Sequence, residues 1–356
     1  MSKIDRPAFE AQTRLPGLSY DTIRQVIRAR AEEHDLPLLC DGDSEIRVHT
    51  TYGTYGFRPD RDASLVQITS GREDWLYILK ESLSHTVSEL APDVGAAIRW
   101  SDAAQSAGNL PPNFQFITIE GVTRIPGGFL RVTATAEDLS QFTPEGIHFR
   151  LALPPTDLVD PQWPSLSDTG LTLWPKGAAS LHRPVYTVRE MDMASGHLVF
   201  DIFEHLGGRA TEWARSVTPG TKVGLTGPGG GGIPEVSDLA IYTDETGLPA
   251  VARILEALPQ DARIEVLFQM TDPVSLDYAL PSHPGARIER RPAGDRDLAD
   301  QAIADLDGAA DRMVWLAAEK LIAQKLRAHF KSSGRSAKDH YIAAYWSRTA
   351  DSAAEG

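Results

Sequence analysis

The chain has a single cysteine, Cys40, in 356 residues. One thiol cannot close an internal disulfide, and there is no cysteine cluster to hold zinc or an iron–sulfur centre. Long apolar runs are also missing. No stretch approaches the ~20 residues needed to cross a bilayer, and the opening MSKIDRPAFEAQ has no apolar core of a signal peptide. Positive charge is in deficit. Lys and Arg number 35 against 49 Asp and Glu, a net charge of −14. That balance opposes general nucleic-acid binding, which relies on basic patches, and disfavours anionic membrane surfaces. There is no internal repeat, no low-complexity tract and no G-x-G-x-x-G. What remains is typical of a globular chain, with 42% hydrophobic and 24% charged residues. A cytoplasmic enzyme is expected, most simply a monomer. Any anionic ligand must be held by a local basic pocket working against the global field.

The length exceeds one typical core, and three textures divide the chain. Residues 1–105 read as a small α+β domain. It has helices over Tyr20–Glu33 and Glu73–Leu90, and the second places Trp75, Ile78, Leu79, Leu83, Val87 and Leu90 on one stripe. The alternating RVHTTYGTYGFRP between them reads as strands. Asp102–Asn113 is small, polar and proline-punctuated, as in a linker. Residues 114–232 hold short alternating runs separated by turn residues, which predict an antiparallel β-barrel. One helix interrupts them near Arg209, with Trp213 read as core. Residues 236–350 alternate strand and helix, the pattern of a parallel α/β sheet. In the helix TGLPAVARILEALP, residues Leu248, Val251, Leu255 and Leu258 point inward, and another helix runs over Glu319–Lys331. The tail from Arg348 onward is expected to fray.

Two stretches could carry chemistry. HRPVYTVREMD, His182–Asp192, alternates as a strand does, so Tyr186 and Val188 face one side and Thr187 and Arg189 the other. It offers a flat ring, a hydroxyl and two cations, Arg183 and Arg189. A solvated barrel strand with surface arginines would look the same. FEHLGGRATEWARS, Phe203–Ser216, runs from a strand through Gly207 and Gly208 into a helix. Free N–H groups at that helix start, around Arg209, Ala210 and Thr211, form an anion site. A plain strand–turn–helix link is the alternative.

Taken in order, these segments resemble the siderophore-interacting proteins, within the ferredoxin–NADP reductase superfamily. That family carries a YTxR strand, a DFxLH strand, a glycine-started helix with Trp, then PGD and GPxG. Here the counterparts are Tyr186–Arg189, Asp201–His205, Gly208–Trp213, Pro219–Gly220 and Gly227–Gly229. YTDETGLPAVARILEALP is similar to the family's DETALPAIxRILExLP, and WLAAEK and AYW correspond to its later motifs. The resemblance spans about residues 114–350. It implies a barrel that holds FAD non-covalently and an α/β domain that receives NADH or NADPH. Ferredoxin donates in some members. The reaction implied is reduction of ferric siderophores or related ferric chelates to release Fe(II). A general flavin reductase or diaphorase, and a non-catalytic iron-chelate binding protein, are the competing readings.

By position, the resemblance places Tyr186 against the flavin or its ribityl chain and Thr187 at the ring edge. Val188 lies between them and Arg189. It places Arg189 near the phosphates, with Gly208, Ala210 and Thr211 around the pyrophosphate, and it includes Asp201 and His205 in the FAD site. Pro184 stands where the family has Arg, leaving Arg183 one residue further back. Arg189 is therefore expected to hold FAD more strongly than Arg183. For the nucleotide, Asp244, Glu245 and Thr246 follow the first strand, although they also read as a helix N-cap. Asp272 suits ribose hydroxyls and leans to NADH. Glu319 and Trp346 occupy family turn and tail positions. GPGGGG, Gly227–Gly232, reads as an inter-domain hinge. A positive island over Glu319–Asp339, with Lys320, Arg335 and Lys338, is a candidate basic pocket for an anionic chelate, joined by Arg348. It also reads as a solvated helix face. No residue is assigned acid–base catalysis or metal binding. The first domain resembles a module of unassigned function found alone or fused ahead of such reductases, and His49 and His85 in it are read as structural.

Overall fold

The structure, a computed structural model, describes residues 9–33, 36–142, 146–156, 158–294, 296–306 and 312–348. The expected fraying of the tail falls, beyond Arg348, outside the described residues. The chain divides into two compact units, residues 1–114 with 160–177, and residues 115–159 with 178–356.

In the first unit, β1 (Phe9–Pro16), α1 (Tyr20–Glu33), β2 (Leu38–Asp41), β3 (Ile46–Thr50), β4 (Gly53–Asp60), β5 (Ala63–Ser70) and α2 (Glu73–Leu90) precede short helices α3 (Pro92–Ala96) and α4 (Ala103–Ser106). The strands pair antiparallel in the order β1-β5-β4-β3-β2. Ile23 and Ile27 of α1 and Leu76, Leu79, Leu83 and Val87 of α2 share one core with Phe57 and Ile68 of the sheet. Leu90 is largely exposed, and Trp75 and Ile78 lie only on the margin of the core. The expected stripe is displaced because α2 is covered on a second side as well. There Tyr77, Lys80 and Ser84 are buried. The Asp102–Asn113 stretch is structured, not a free linker: Asp102 pairs with the buried Lys80 at 2.8 Å, and α4 follows it.

The barrel begins with β6 (Phe114–Ile125), β7 (Phe129–Ala136) and β8 (His148–Ala152). The chain then returns to the first unit through the short strands β9 (Ser165–Leu166) and β10 (Thr172–Leu173). Thr172 N donates to Glu81 of α2, and Trp100 N donates to Thr169 O. This return supplies the second cover of α2. The barrel resumes with β11 (Val185–Asp192), β12 (His197–Phe203), α5 (Arg209–Ser216) and β13 (Lys222–Gly229), closing in the order β11-β12-β7-β6-β13-β8. Its interior is apolar, with Ile119, Val132, Phe149, Leu151, Val188, Phe200 and Leu225, and Trp213 of α5 joins it. Gly227–Gly229, expected in a hinge, instead form the end of the last barrel strand.

The α/β part contains β14 (Asp238–Thr243), α6 (Leu248–Ala257), β15 (Arg263–Met270), β16 (Ala286–Pro292), α7 (Leu298–Asp305), β17 (Met313–Glu319), α8 (Lys320–Ser333) and β18 (His340–Trp346). All five strands are parallel, in the order β16-β15-β14-β17-β18. β14 and β17 are buried nearly throughout, as central parallel strands must be. α6 covers one face, packing Val251, Ile254 and Leu255 near Trp315; α7 and α8 cover the other, with Leu298, Leu326 and Phe330 around Leu316. Leu248, Val251, Leu255 and Leu258 are all buried, as their spacing requires. Strand order reverses between β14 and β17, so a crevice for ligands opens at the carboxyl ends of these strands.

Candidate functional site

The site is built where the outer surface of the barrel meets that carboxyl edge. Alternation along β11 decides which side chains reach it. Tyr186 and Val188 turn toward the barrel. Val188 is buried in its core, and the Tyr186 ring lies 5.7 Å from Phe200 and 6.5 Å from Phe149. Thr187 and Arg189 turn outward. β8 runs antiparallel beside them, placing His148 opposite Thr187 and Arg150 opposite Val185.

Thr187 and His148 are both buried, and Thr187 Oγ1 lies 3.4 Å from His148 Nδ1. On its other side His148 Nε2 lies 3.1 Å from the hydroxyl of Tyr345, on β18. Burial lowers the His148 ring to about 4, so it is neutral at pH 7. The barrel and the sheet thus meet through a hydroxyl, an imidazole and a second hydroxyl.

Arg189 has a different partner from the one expected. It makes a two-point ion pair with Glu256 of α6, at 2.8 and 2.9 Å. Arg253 of the same helix donates to Val188 O at 2.7 Å. Arg189 therefore fastens β11 to α6, and its charge is already met. Arg183 lies at the other end of the strand. Burial, and then the neighbouring Arg150, push its guanidinium below the usual value. Burial and then Arg209 push the His182 ring down to about 4. Arg150, mid-strand on β8, also donates to Arg183 O at 3.4 Å, and Arg209 opens α5 beside His182, so three arginines lie along the approach to β11. Like charges at close range are held together at a cost that an anion would repay.

The turn into α5 adds to this corner. Gly207 has φ 75° and Gly208 is the N-cap. A Cβ at Gly208 would lie 2.5 Å from the exposed His205 ring and would displace it. His205 itself is exposed, and its N–H donates to Thr211 Oγ1 at 3.4 Å. Thr211 and Ala210 are buried, Ala210 in the barrel core, so they shape the turn from beneath. The first N–H groups of α5 face outward from it as an anion cradle. Asp201 is engaged elsewhere. Buried on β12, it accepts from Arg131 through both oxygens at 2.8 Å and from the Tyr278 hydroxyl at 2.8 Å. It joins the barrel to the α/β part through three hydrogen bonds.

The carboxyl edge of the sheet carries the other expected residues. Asp244 accepts from Thr246 N at 2.9 Å and from Trp346 Nε1 at 2.7 Å. Burial raises its carboxyl to about 6. Glu245 accepts from the Thr271 hydroxyl and from Asp272 N, both at 2.9 Å, tying the end of β14 to the end of β15. Asp272 caps Val274 N at 3.0 Å, and Glu319 caps Leu321 N at 2.8 Å and accepts from Arg348 N at 3.4 Å. These carboxylates are brought to one edge, as expected for a nucleotide site. Each is engaged by its own or a neighbouring loop, so they form the rim and brace it. Gly247 was not singled out by sequence, yet its Cβ would lie 1.9 Å from Thr243 Oγ1.

The positive island does not hold together. Lys320 opens α8 at the carboxyl edge, and Arg348 follows β18 at the same edge, its guanidinium 5.8 Å from the Trp346 ring. Arg335 and Lys338 come after α8, roughly 20 Å away at 1.5 Å per helical residue. Arg335 donates to Arg312 O, just before the start of β17. The four residues sit at opposite ends of one helix and cannot line one pocket. Among the described residues no group of three His, Cys, Asp or Glu could hold a metal ion, and no helix is long and apolar enough to cross a membrane.

Residues 118–232 match the model of the siderophore-interacting FAD-binding domain, and residues 236–349 match that of the siderophore-interacting protein. An NADPH-dependent ferric-chelate reductase from Escherichia coli is 31% identical over 244 residues, 65% of this chain and 92% of that protein. The chain belongs to the siderophore-interacting protein family. A ferric vibriobactin reductase from Vibrio cholerae is 30% identical over 237 residues, 62% of this chain and 84% of that protein. Among solved structures, a siderophore utilization protein from T. fusca superposes with a TM-score of 0.55 at 26% identity, covering 66% of this chain and 93% of that one. The barrel of this family member is a flavoprotein domain with FAD as its cofactor. The arginine corner, the glycine turn and the outward Thr187 fit that cofactor: cations and helix N–H groups for a pyrophosphate, and a hydroxyl for a ring edge.

Proposed function

We propose that this chain is an FAD-dependent reductase of ferric siderophores or related ferric chelates, with a reduced nicotinamide dinucleotide as donor. The observation that carries the reading is the junction itself, where Thr187 and His148 of the barrel meet Tyr345 at the switch-point edge of the parallel sheet. The names of the E. coli and V. cholerae relatives support the substrate class. When bound, FAD supplies what no side chain can, taking two electrons as hydride and passing them on singly.

The chain's own residues position, charge and shield. Arg150, Arg183 and Arg209, with the start of α5, hold the pyrophosphate, and Gly208 permits its close approach. Thr187 presents a hydroxyl to the ring edge. Trp346, hydrogen-bonded to Asp244, gives the nucleotide side a fixed aromatic wall. Lys320 and Arg348 draw an anionic chelate to the same edge. Iron is substrate here. Oxygen ligands bind Fe(III) firmly and Fe(II) weakly, so reduction releases the metal and no acid or base need act on it. Asp272 caps its own turn, which removes the reason to favour NADH. Arg290, exposed near the carboxyl end of β16, suits a 2′-phosphate, and NADPH is the donor we infer. A cytoplasmic location, where NADPH is plentiful, suits this reading.

Steady-state rates with NADPH and NADH against ferric siderophores, generic dyes and free flavin test the reading. Ferric siderophores should be reduced fastest, and Arg290→Ala should narrow the NADPH preference. Siderophore rates no higher than dye rates would point to a general flavin reductase. Purified protein that binds ferric chelates but takes up no FAD would point to a non-catalytic iron-chelate binder.

A further inference from the structure

His148 has been given no role by sequence or by kinship, yet it is the most constrained polar group at the junction. It is 2% exposed. Three elements enclose it: Thr187 of β11 at Nδ1, Tyr345 of β18 at Nε2, and the chain just after β13. There a Cβ on Gly230 would lie 3.1 Å from His148 Cδ2. The ring is held at both nitrogens, by the Thr187 and the Tyr345 hydroxyls.

We infer that His148 is a positioning residue that sets the direction of the Thr187 hydroxyl toward the bound FAD, with Tyr345 as its anchor. This rests on the placement of Thr187 at the flavin edge. A neutral imidazole has one donor and one acceptor nitrogen, whereas a hydroxyl can do either. In one arrangement Thr187 donates to Nδ1 and Nε2–H donates to Tyr345, which leaves the Thr187 oxygen free to accept. In the other, Nδ1–H donates to Thr187 and Tyr345 donates to Nε2, which leaves the Thr187 hydrogen free to donate. Tautomer exchange and hydroxyl rotation interconvert them, and the three groups neither gain nor lose a proton overall. The reactive ring nitrogen of a flavin accepts a hydrogen bond when oxidised and donates one when reduced. The trio can therefore match both states. An imidazolium could not, because it donates from both nitrogens; burial keeps the ring neutral.

The test is the reduction potential of bound FAD, with FAD occupancy measured alongside it. Thr187→Ala and His148→Leu should shift the potential in the same direction. Each shift should reflect about a tenfold change in the ratio of oxidised to reduced FAD affinity, or ~30 mV for a two-electron couple. The double variant should shift no further than Thr187→Ala. His148→Gln, whose amide both donates and accepts, should restore most of the wild-type value, and the nearly isosteric Tyr345→Phe should shift it partway. Full FAD occupancy with a wild-type potential in His148→Leu overturns the inference, as does a Gln variant that shifts as far as Leu. Should His148→Leu fail to fold, an unchanged potential in Tyr345→Phe overturns it. Wild-type protein that takes up no FAD would sink this inference together with the function it rests on. Full occupancy with unmoved potentials would sink only the role of His148.

Discussion

On the barrel side, burial and then Arg150 push the Arg183 guanidinium down, and burial and then Arg209 push the His182 ring down. At the carboxyl edge of the sheet, Asp244, Glu245, Asp272 and Glu319 each accept backbone N–H groups of neighbouring turns. Both regions concentrate charge of one sign. In the first, like charge presses on like, a conflict that an anion would ease. In the second the charge has been spent on architecture, so it shapes a crevice without claiming the ligand. Charge type alone cannot separate these cases, but hydrogen-bond partners can.

The largest effect should come from the conflicted side. Arg183→Ala should weaken FAD binding about ten- to a hundredfold, the loss of one charge-assisted contact, measured by flavin titration of the apoprotein. Arg189→Ala should change FAD affinity less than about threefold, because Glu256 already holds that guanidinium. Its cost should appear as about 1 kcal/mol of stability, the loss of a partly exposed pair. This order reverses what the YTVR motif suggests by itself. Equal losses of FAD in the two variants would erase the distinction between the regions.

On the architectural side, Gly247→Ala should lower the urea midpoint by the equivalent of about 2 kcal/mol. The added methyl would displace Thr243 Oγ1, which donates to Ala317 O at 3.0 Å and so joins β14 to β17. Asp244 should show itself through pH. Its carboxyl is raised from 3.8 to about 6, chiefly by burial. Between these values the folded chain holds a proton that the unfolded chain has lost. Its contribution to stability is therefore present below about pH 4 and is lost as pH rises through about 6. Thermal unfolding of Asp244→Asn across that window should lack this slope.

The smallest effect concerns the divided positive island. Lys320→Ala or Arg348→Ala should raise KM for an anionic ferric chelate about threefold, in the range of exposed charge contacts. Arg335→Ala and Lys338→Ala, at the far end of α8, should leave KM unchanged. A KM change in all four would restore the single pocket.

Much of the barrel and sheet was legible because alternation and helical spacing are local. β11 and α6 read directly from their apolar periods, and the order of motifs carried the resemblance to an FAD-binding barrel. What escaped depends on distance along the chain. His148 looks like any outward residue in GIHFR until Tyr345, 197 positions later, closes on it. Arg150 gains meaning only beside Arg183. The Asp160–Gly177 segment has no periodicity to announce that it packs on α2, and that packing moved the buried stripe of the helix. Conversely, the acidic TDETG was read as either ligand site or N-cap, and the hydrogen bonds of Asp244 favour the cap.

The central claim is that electrons pass from a nicotinamide through bound FAD to a ferric chelate. Its most direct measurement is the visible spectrum of the FAD-loaded protein under anaerobic conditions. NADPH should bleach the flavin bands, and a ferric siderophore added afterwards should restore them with two Fe(II) released per flavin. Bands that never bleach, or that bleach and stay bleached when the ferric siderophore is added, would contradict the account.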